Sequence, residues 1–288
     1  MKNINLVKIG SDSIHEENIE KLLIDIALYE EITHEKFIII SSGAVKLGKS
    51  KILEKGGKID EISSSALASI GQQYLMQMYE KLSKNKIVSQ VLLDDYINSD
   101  YVNTFIEKLR DKVVLKNLAS KVLGLVSEQK DKHLANTIAD LVRNNVLVII
   151  NHNDATSNDE LKNLSSKTDN DKNTIHITQV INNYSKEIGI RVKRVIFLTN
   201  TNGLLDDKGQ TIQGGEIDIS DNYSIDRYLA YIEKGKSNNG TGGMGSKVDC
   251  AFQVLSKGAS ESIIANSNSG LGCLINDDYM STKFVKKM

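Results

Sequence analysis

The chain has 288 residues, of which 40% are hydrophobic and 25% charged, and its formal net charge is −1. This composition is that of an ordinary globular protein and excludes a disordered, collagen-like or low-complexity chain. The near-neutral charge gives no reason to expect a nucleic acid or a membrane as partner, because both usually require a basic surface.

Apolar strands and amphipathic helices alternate along the chain. Strands are predicted, in chain order, at residues 5–9, 37–40, 87–93, 146–150 and 195–198. Apolar residues at helical spacing predict helices between them, the first over residues 16–33 and another from Ala66 to Met78. Strands that are apolar on both faces and separated by helices indicate a mostly parallel sheet that is covered on both sides. The sequence therefore predicts an α/β fold.

Two regions interrupt this alternation. Residues 98–132 are rich in lysine and carry Leu118, Val122, Leu125 and Val126 on one helical face, which predicts an inserted pair of helices. Residues 156–172 are polar and have few apolar positions. We expect a loop or an exposed hairpin there, long enough to serve as a lid over a site.

Motifs that would place the chain outside a reducing cytoplasm are not recognisable in the sequence. No apolar run approaches the roughly 20 residues needed to cross a bilayer, and the first residues do not resemble a signal peptide. The two cysteines, Cys250 and Cys273, are too few for a disulfide framework, and the histidines show no metal-binding spacing. We therefore expect a cytoplasmic protein without a structural metal.

The most informative segment is rich in glycine and comprises Gly240, Thr241, Gly242, Gly243, Met244, Gly245, Ser246 and Lys247. A Walker loop would need lysine where Ser246 stands, and a dinucleotide fingerprint would need an apolar strand before Gly240. The segment is then either a flexible linker before a helix or a phosphate cradle in which backbone N–H groups face an anion. Lys247 in the first turn of a helix opposes the helix dipole unless an anion is bound, which favours the cradle.

Polar residues follow three of the predicted strands. Lys8 lies at the end of the first strand, Ser42 follows the second, and Asp154 follows the strand at 146–150. In open α/β sheets ligands bind beyond the carboxyl ends of the strands, so we expect these residues to line one crevice. Taken alone, Lys8 fits either an edge residue that reaches solvent or a buried charge that needs a partner. Asp171 is a second acid at a helix start where capping requires only one.

Eight of these segments occur in the order found in the glutamate 5-kinases of the amino-acid kinase family, and the sequence resembles that family from Lys8 to about Phe284. The segments are residues 7–11, 41–45, 70–79, 90–93, 149–154, 168–171, 197–204 and 240–247. Each is weak alone, but the ordered set is specific. The resemblance implies one three-layer α/β/α domain over residues 1–288. It also implies transfer of the γ-phosphoryl group of ATP to the γ-carboxylate of glutamate, the first step of proline biosynthesis.

The resemblance further implies a role for individual residues. The catalytic residues would be Lys8 and Lys247, which neutralise phosphoryl groups, and Asp171, which orients the lysines. The glutamate-binding residues would be Ser42, Gly43, Asp154, which receives the ammonium group, and Asn170. The ATP-binding residues would be Lys8, Gly10, Thr199, Asn200, Thr241, Gly242, Gly243, Met244, Gly245, Ser246 and Lys247. Mg²⁺ would be bound through the ATP phosphates rather than by a protein cage.

Several positions depart from the family pattern. Asn200 and His152 stand where the family has acidic residues, the segment at 133–135 is altered, and the loop after Asp154 is longer. The resemblance also implies a homo-oligomer, a dimer or a tetramer. We expect the RNA-modification-type domain that often follows in this family to be absent. The alternatives are a kinase of the same fold that acts on another small acid, and a catalytically impaired sensor that binds a nucleotide or an amino acid.

Overall fold

The computed structural model describes residues 1–84, 86–94, 113–156, 170–219, 226, 228, 244–275 and 280–287, with side chains from residue 124 onward in the helix that begins at 113. Its strands are β1 (Lys2–Ile9), β2 (Lys36–Ser41), β3 (Val88–Leu93), β4 (Leu147–His152), β5 (Ile190–Thr199), β6 (Gly214–Ile217), β7 (Glu261–Asn266) and β8 (Ser281–Lys286). Its α-helices are α1 (Glu16–Thr33), α2 (Ala44–Glu54), α3 (Ser64–Ser83), α4 (Val113–Arg143), α5 (Asn170–Asn183), α6 (Ser185–Ile188), α7 (Met244–Ser256) and α8 (Gly272–Ile275).

The strands form one sheet in the order β3-β4-β2-β1-β5-β7-β8-β6. Neighbouring strands pair in parallel except β7 and β8, which are antiparallel. All of the predicted strands are present, and the predicted mostly parallel sheet is confirmed. Because the sheet is parallel around β1, the carboxyl ends of β4, β2, β1 and β5 lie along one edge.

Helices cover both faces of the sheet, and the alternation of side chains along β1 shows how. Ile4 and Leu6 belong to a core that contains buried residues of α4, α5 and α7. Val7 and Ile9 belong to a second core, made with α1 and α3. Two cores on opposite faces of one sheet confirm the three-layer α/β/α arrangement.

The two irregular regions are described in part. Helix α4 runs past the predicted end of the insertion to Arg143, because Ala135, Ile138 and Ala139 continue its apolar face into the core. Leu125 and Val126 are about half exposed. Residues 98–112 of the predicted helix pair and residues 157–169 of the predicted lid lie outside the described residues. Helix α5 begins at Asn170, so the last part of the predicted loop is helical.

The length and hydropathy of a helix decide whether it could span a membrane. Along the described ranges, none of the helices combines the length and the apolar character that crossing a bilayer demands.

Helices α2 and α3 pack backbone against backbone, and two glycines make this possible. A Cβ on Gly48 would lie 1.9 Å from the carbonyl oxygen of Leu67, and a Cβ on Gly71 would lie 1.8 Å from the carbonyl oxygen of Ala44. Neither distance leaves room for a side chain. The contact therefore fixes α3 against the turn that leads from β2 into α2.

A charged network holds the opposite, amino-terminal edge of the sheet. Arg194 donates from Nη1 to Oε2 of Glu35 at 2.7 Å and from Nε to Oε2 of Glu261 at 2.7 Å, and Lys193 also pairs with Glu35. Burial alone would raise the pKa of Glu35. Hydrogen bonds from Lys193 and Asn5 and the charge of Arg194 outweigh it, so the pKa lies below the usual value.

We expect Gly71→Ala to lower the free energy of unfolding by about 3 kcal/mol, because the added methyl group forces the two helix backbones apart. Urea unfolding measures the change. Gly124→Ala is the matched control: Gly124 lies in α4 with nothing within 4 Å of its Cβ position, and this change should raise stability by about 0.5–1 kcal/mol. Equal stability of the Gly71→Ala and wild-type proteins would contradict the close packing.

We expect the stability contributed by Glu35 to be present above its unfolded pKa, about 4.5, and to be lost as pH falls through the lower folded pKa. Urea unfolding at a series of pH values from about 5 to 3 should therefore show a weaker loss of stability for Glu35→Gln than for the wild type. Glu31→Gln, at an exposed position on α1, should follow the wild type. A Glu35→Gln curve parallel to the wild-type curve would contradict the shift.

Candidate active site

Lys8 and Asp171 form an ion pair at the carboxyl edge of the sheet. Nζ of Lys8 lies 2.5 Å from Oδ1 of Asp171, and the two side chains are 9% and 5% exposed. Lys8 is therefore a buried charge with a partner, which resolves the two readings left open by the sequence. Asp171 lies in the first turn of α5, where the helix dipole also favours a negative charge.

Asn170, the neighbour of Asp171, holds the turn after β2. Its Nδ2 donates to the carbonyl oxygen of Ser41 at 3.2 Å and to Oγ of Ser42 at 2.9 Å. Because Ser42 Oγ accepts this bond, its hydroxyl proton remains available to donate to a ligand. The backbone N–H of Ser42 donates to the carbonyl oxygen of Ile9, which ties the same turn to the end of β1.

A buried asparagine on β4 continues the network. Nδ2 of Asn170 also donates to Oδ1 of Asn151 at 3.0 Å, and the backbone N–H of His152 donates to the same oxygen at 2.8 Å. Nδ2 of Asn151 donates to Oε1 of Gln72 on α3 at 2.8 Å. The amides thus connect α5, β4 and α3 around the end of the sheet.

A hydrogen bond between two neutral side chains holds Ser41, the residue that precedes Ser42. The hydroxyl of Tyr79 on α3 donates to Oγ of Ser41 at 3.0 Å. Burial raises the pKa of the Tyr79 hydroxyl far above its usual value, with the bond to Ser41 opposing the change. Tyr79 therefore stays protonated and anchors the turn rather than exchanging protons.

Gly43 and Gly10 both lie at this edge, but only at Gly43 does the structure require the absence of a side chain. Gly43 has φ +105°, and a Cβ there would lie 2.8 Å from Cγ1 of Ile14, so both conformation and packing exclude other residues. Gly10 has an extended backbone with φ −78°, and its Cβ position has nothing within 4 Å. The space beside the Gly10 backbone is open to a ligand atom.

The end of β5 carries the residues predicted to bind a nucleotide. Oγ1 of Thr199 accepts from the backbone N–H of Thr201 at 2.9 Å. Oδ1 of Asn200 accepts from the hydroxyl of Ser13 at 3.0 Å, which links the β5 end to the turn after β1. Next to them is a cavity of about 600 Å³ that is lined in part by Asn200, Leu205 and Asn266.

Only the last part of the glycine-rich segment, from Met244 onward, belongs to the described residues. Met244, Gly245, Ser246 and Lys247 form the first turn of α7, whose residues Val248, Ala251, Phe252 and Leu255 are buried as the sequence predicts. Lys247 is half-buried. Because α7 precedes the parallel strand β7, its first turn lies at the carboxyl edge of the sheet. Thr241, Gly242 and Gly243 lie outside the described residues.

The structure brings Lys8, Asp171, Asn170 and Ser42 into one connected cluster, and it places Gly10, Gly43, Asp154, Thr199 and Asn200 at the same edge. The sequence reasoning gave no role to Asn151, Gln72 or Ser13. Gln72 could have been found from its spacing, since it lies three residues before Leu75 and seven before Tyr79, both buried on α3. A polar residue on that stripe needs a polar partner.

Over the ranges that the structure describes, no group of three or more histidine, cysteine, aspartate or glutamate side chains could hold an ion.

The sequence model of the amino acid kinase family matches residues 3–266. The glutamate 5-kinase of Clostridium perfringens is 28% identical, over 98% of this chain and 95% of that protein. The glutamate 5-kinase of Aquifex aeolicus is 29% identical, over 75% of this chain and 48% of that protein.

Solved structures share the fold. Carbamate kinase from Giardia lamblia bound to AMP-PNP has a TM-score of 0.58 at 14% identity, over 99% of each chain. N-acetylglutamate synthase from Neisseria gonorrhoeae has a TM-score of 0.56 at 9% identity, over 100% of this chain and 60% of that one. At these identities the likeness concerns the fold alone.

We expect Lys8→Met to lower the free energy of unfolding by about 3–5 kcal/mol, because it leaves the carboxylate of Asp171 buried without its partner. The double variant Lys8→Met/Asp171→Asn should recover more than half of that loss, since no isolated charge remains. Urea unfolding of the two single variants and the double variant measures the coupling. The exposed pair Lys51–Glu54 is the control and should show much weaker coupling. Additive effects at Lys8 and Asp171 would contradict the buried pair.

Proposed function

Because the chain belongs to the amino acid kinase family, we propose that it transfers the γ-phosphoryl group of ATP to the γ-carboxylate of L-glutamate. The products would be ADP and glutamyl 5-phosphate, the first intermediate of proline biosynthesis. The glutamate 5-kinases that are similar over most of the chain support this choice of acceptor. The buried cluster at the carboxyl edge of the sheet carries the proposal.

The proposal rests on one observation: two adjacent residues, Asn170 and Asp171, contact different groups of the site. Asn170 reaches Ser42, whereas Asp171 reaches Lys8. The first turn of α5 thus contacts both a hydroxyl that can donate to a carboxylate and a lysine that can neutralise a phosphoryl group. A phosphoryl transfer between two anions needs such an arrangement, with a donor for the acceptor and a cation for the transferred group next to each other.

The reaction itself needs little from the protein beyond position and charge. A γ-carboxylate oxygen of glutamate attacks the γ-phosphorus, the bond from phosphorus to the bridging oxygen breaks, and ADP leaves without any proton transfer. Negative charge spreads over the equatorial oxygens of the phosphoryl group. Lys8 would neutralise it, Lys247 would hold the ATP phosphates, and Asp171 would keep the Lys8 ammonium in place.

The ATP site would lie between β1, β5 and the start of α7. The open space beside Gly10 lets a phosphate oxygen approach its backbone. Asn200 borders the cavity that would take the rest of the nucleotide, and Thr199 precedes it at the end of β5. The carbamate kinase that shares this fold and binds AMP-PNP supports the choice of ATP. Mg²⁺ would arrive with ATP and be held through its phosphates.

Asp154 would receive the ammonium group of glutamate. It lies half-buried in the turn that follows β4, two residues beyond His152. With Ser42 and Asn170 on the other side, the acceptor would be bound by donors for its carboxylates and by one carboxylate for its amine. Gly43 would contribute by bringing the turn after β2 close to the ligand.

Two of the departures from the family pattern are compatible with activity. The backbone N–H of His152, rather than its side chain, holds Asn151, so histidine in place of an acid leaves this contact intact. The side chain of Asn200 is engaged by Ser13. An amide oxygen accepts that bond as a carboxylate would, although it brings no charge.

We expect the purified protein with ATP, Mg²⁺ and glutamate to form an acyl phosphate that hydroxylamine traps as hydroxamate. Lys8→Ala should abolish the product, because the transferred group loses its cation. Lys247→Ala should raise the KM for ATP about 10-fold or more and leave glutamate binding nearly unchanged. Lys257→Ala, beyond the other end of α7, is the matched control and should behave as the wild type.

Four other results would test the proposal against its alternatives. No hydroxamate above the Lys8→Ala level would contradict the proposal. Turnover of a different small acid in a panel would favour a kinase with another acceptor. Saturable binding of nucleotide or amino acid without turnover of any acid would favour a sensor. Equal loss of ATP and glutamate binding in Lys247→Ala would contradict the role of the α7 start.

A further inference from the structure

We infer that the side-chain amide nitrogen of Gln72 is a specificity-determining donor to a carboxylate of the acceptor substrate. The inference deepens the proposed function and rests on it, since it assumes a carboxylic-acid acceptor in the site that contains Ser42 and Asn170. It assigns a binding role to a residue of α3 that the strand-end motifs do not include.

The orientation of the Gln72 amide follows from one backbone group, the N–H of His152, which can only donate. The backbone N–H of His152 donates to the side chain of Asn151, so the atom of Asn151 that faces it is the oxygen. The same oxygen accepts from Asn170. The Asn151 nitrogen must therefore face Gln72, and Gln72 must present its oxygen to it at 2.8 Å.

This orientation leaves the nitrogen of Gln72 without a partner. Among the residues that the structure describes, no acceptor lies within hydrogen-bonding distance of Nε2, and solvent does not reach this atom. A buried donor without an acceptor is rare in native proteins, because the group loses its hydrogen bonds to water and gains none in return. A ligand atom that accepts from Nε2 would remove the deficit.

The position of Nε2 makes a carboxylate of the acceptor the best candidate for that atom. Three consecutive hydrogen bonds of 2.8, 3.0 and 2.9 Å lead from Gln72 through Asn151 and Asn170 to the hydroxyl of Ser42. The acceptors of these three bonds are the side-chain oxygens of Gln72, Asn151 and Ser42, and none of the bonds uses Nε2 of Gln72. The Ser42 hydroxyl and Nε2 are therefore donors of this cluster that no acceptor among the described residues engages.

The backbone of Gln72 is held rigidly enough for its side chain to discriminate between acceptor substrates. Its neighbour Gly71 packs directly on the carbonyl oxygen of Ala44, two residues from Ser42. The distance between α3 and the turn after β2 is thus fixed by backbone contact. A donor fixed in this way selects for an acceptor group at one place, and it rejects a ligand that lacks a hydrogen-bond acceptor there.

Substitution by glutamate separates direct donation from a merely structural role. Gln72→Glu keeps an oxygen that can accept from Asn151 and replaces the NH₂ group by a second carboxylate oxygen. Gln72→Met removes both functions at a similar length. We expect both variants to raise the KM for glutamate about 10-fold or more while the KM for ATP changes little. The effect of Gln72→Glu should be at least as large, because two carboxylates then repel.

Gln73→Met is the matched control, since Gln73 is exposed on the same helix, and it should keep the wild-type KM. A Gln72→Glu protein with the wild-type KM for glutamate would overturn the inference and leave Gln72 as a positioning residue for Asn151. Circular dichroism melting of each variant checks that it is folded.

A measurement on the wild-type protein keeps the inference testable if the variants do not fold. In protein labelled with ¹⁵N-glutamine, the side-chain NH₂ signal that is absent from Gln72→Asn or Gln72→Met should shift on addition of glutamate, and an unchanged signal would overturn the inference. Wild-type hydroxamate formation reports separately on the proposed function. Activity with an unshifted Gln72 signal would refute the role of Gln72 alone, whereas a wild type that neither phosphorylates nor binds glutamate would refute both.

Discussion

The buried ion pair between Lys8 and Asp171 is the interaction on which the arrangement of the site depends. It joins the carboxyl end of the central strand β1 to the first turn of α5. Two opposite charges in a nearly dry environment are each costly without the other, so the two elements cannot separate easily. The amide of Asn170 is held on Ser42 by the same helix start, because it is the preceding residue.

The polar interactions of the chain are divided between the two ends of its sheet. At the amino-terminal edge, Arg194 and Lys193 neutralise Glu35 and Glu261 through several ion pairs and hydrogen bonds. At the carboxyl edge, the amides of Asn151, Asn170 and Gln72 satisfy each other only in part. A network that is saturated serves stability, whereas one that keeps free donors next to a cation is suited to binding an anion.

The fold and much of the site follow from local patterns in the sequence. The apolar runs that became β1, β2, β4 and β5 are short and β-branched, and such runs have few alternatives to a buried strand. Position at a strand end is enough to place Lys8, Ser42 and Asp154 at one edge of the sheet. The partners of Asn151 and Asn200 could not be found in this way. Gln72 and Ser13 meet them only through the packing of α3 and of the turn after β1, which involves contacts far apart in the chain.

The glycine contact between α2 and α3 has a consequence for motion. Helices that touch through interleaved side chains can slide past one another in small steps as rotamers change. Helices in direct main-chain contact at Gly48 and Gly71 lack that freedom, because no side chain lies between them to rearrange. The part of the site that carries Gln72 and Ser42 should therefore behave as one rigid body, and any adjustment to a ligand must come from other elements.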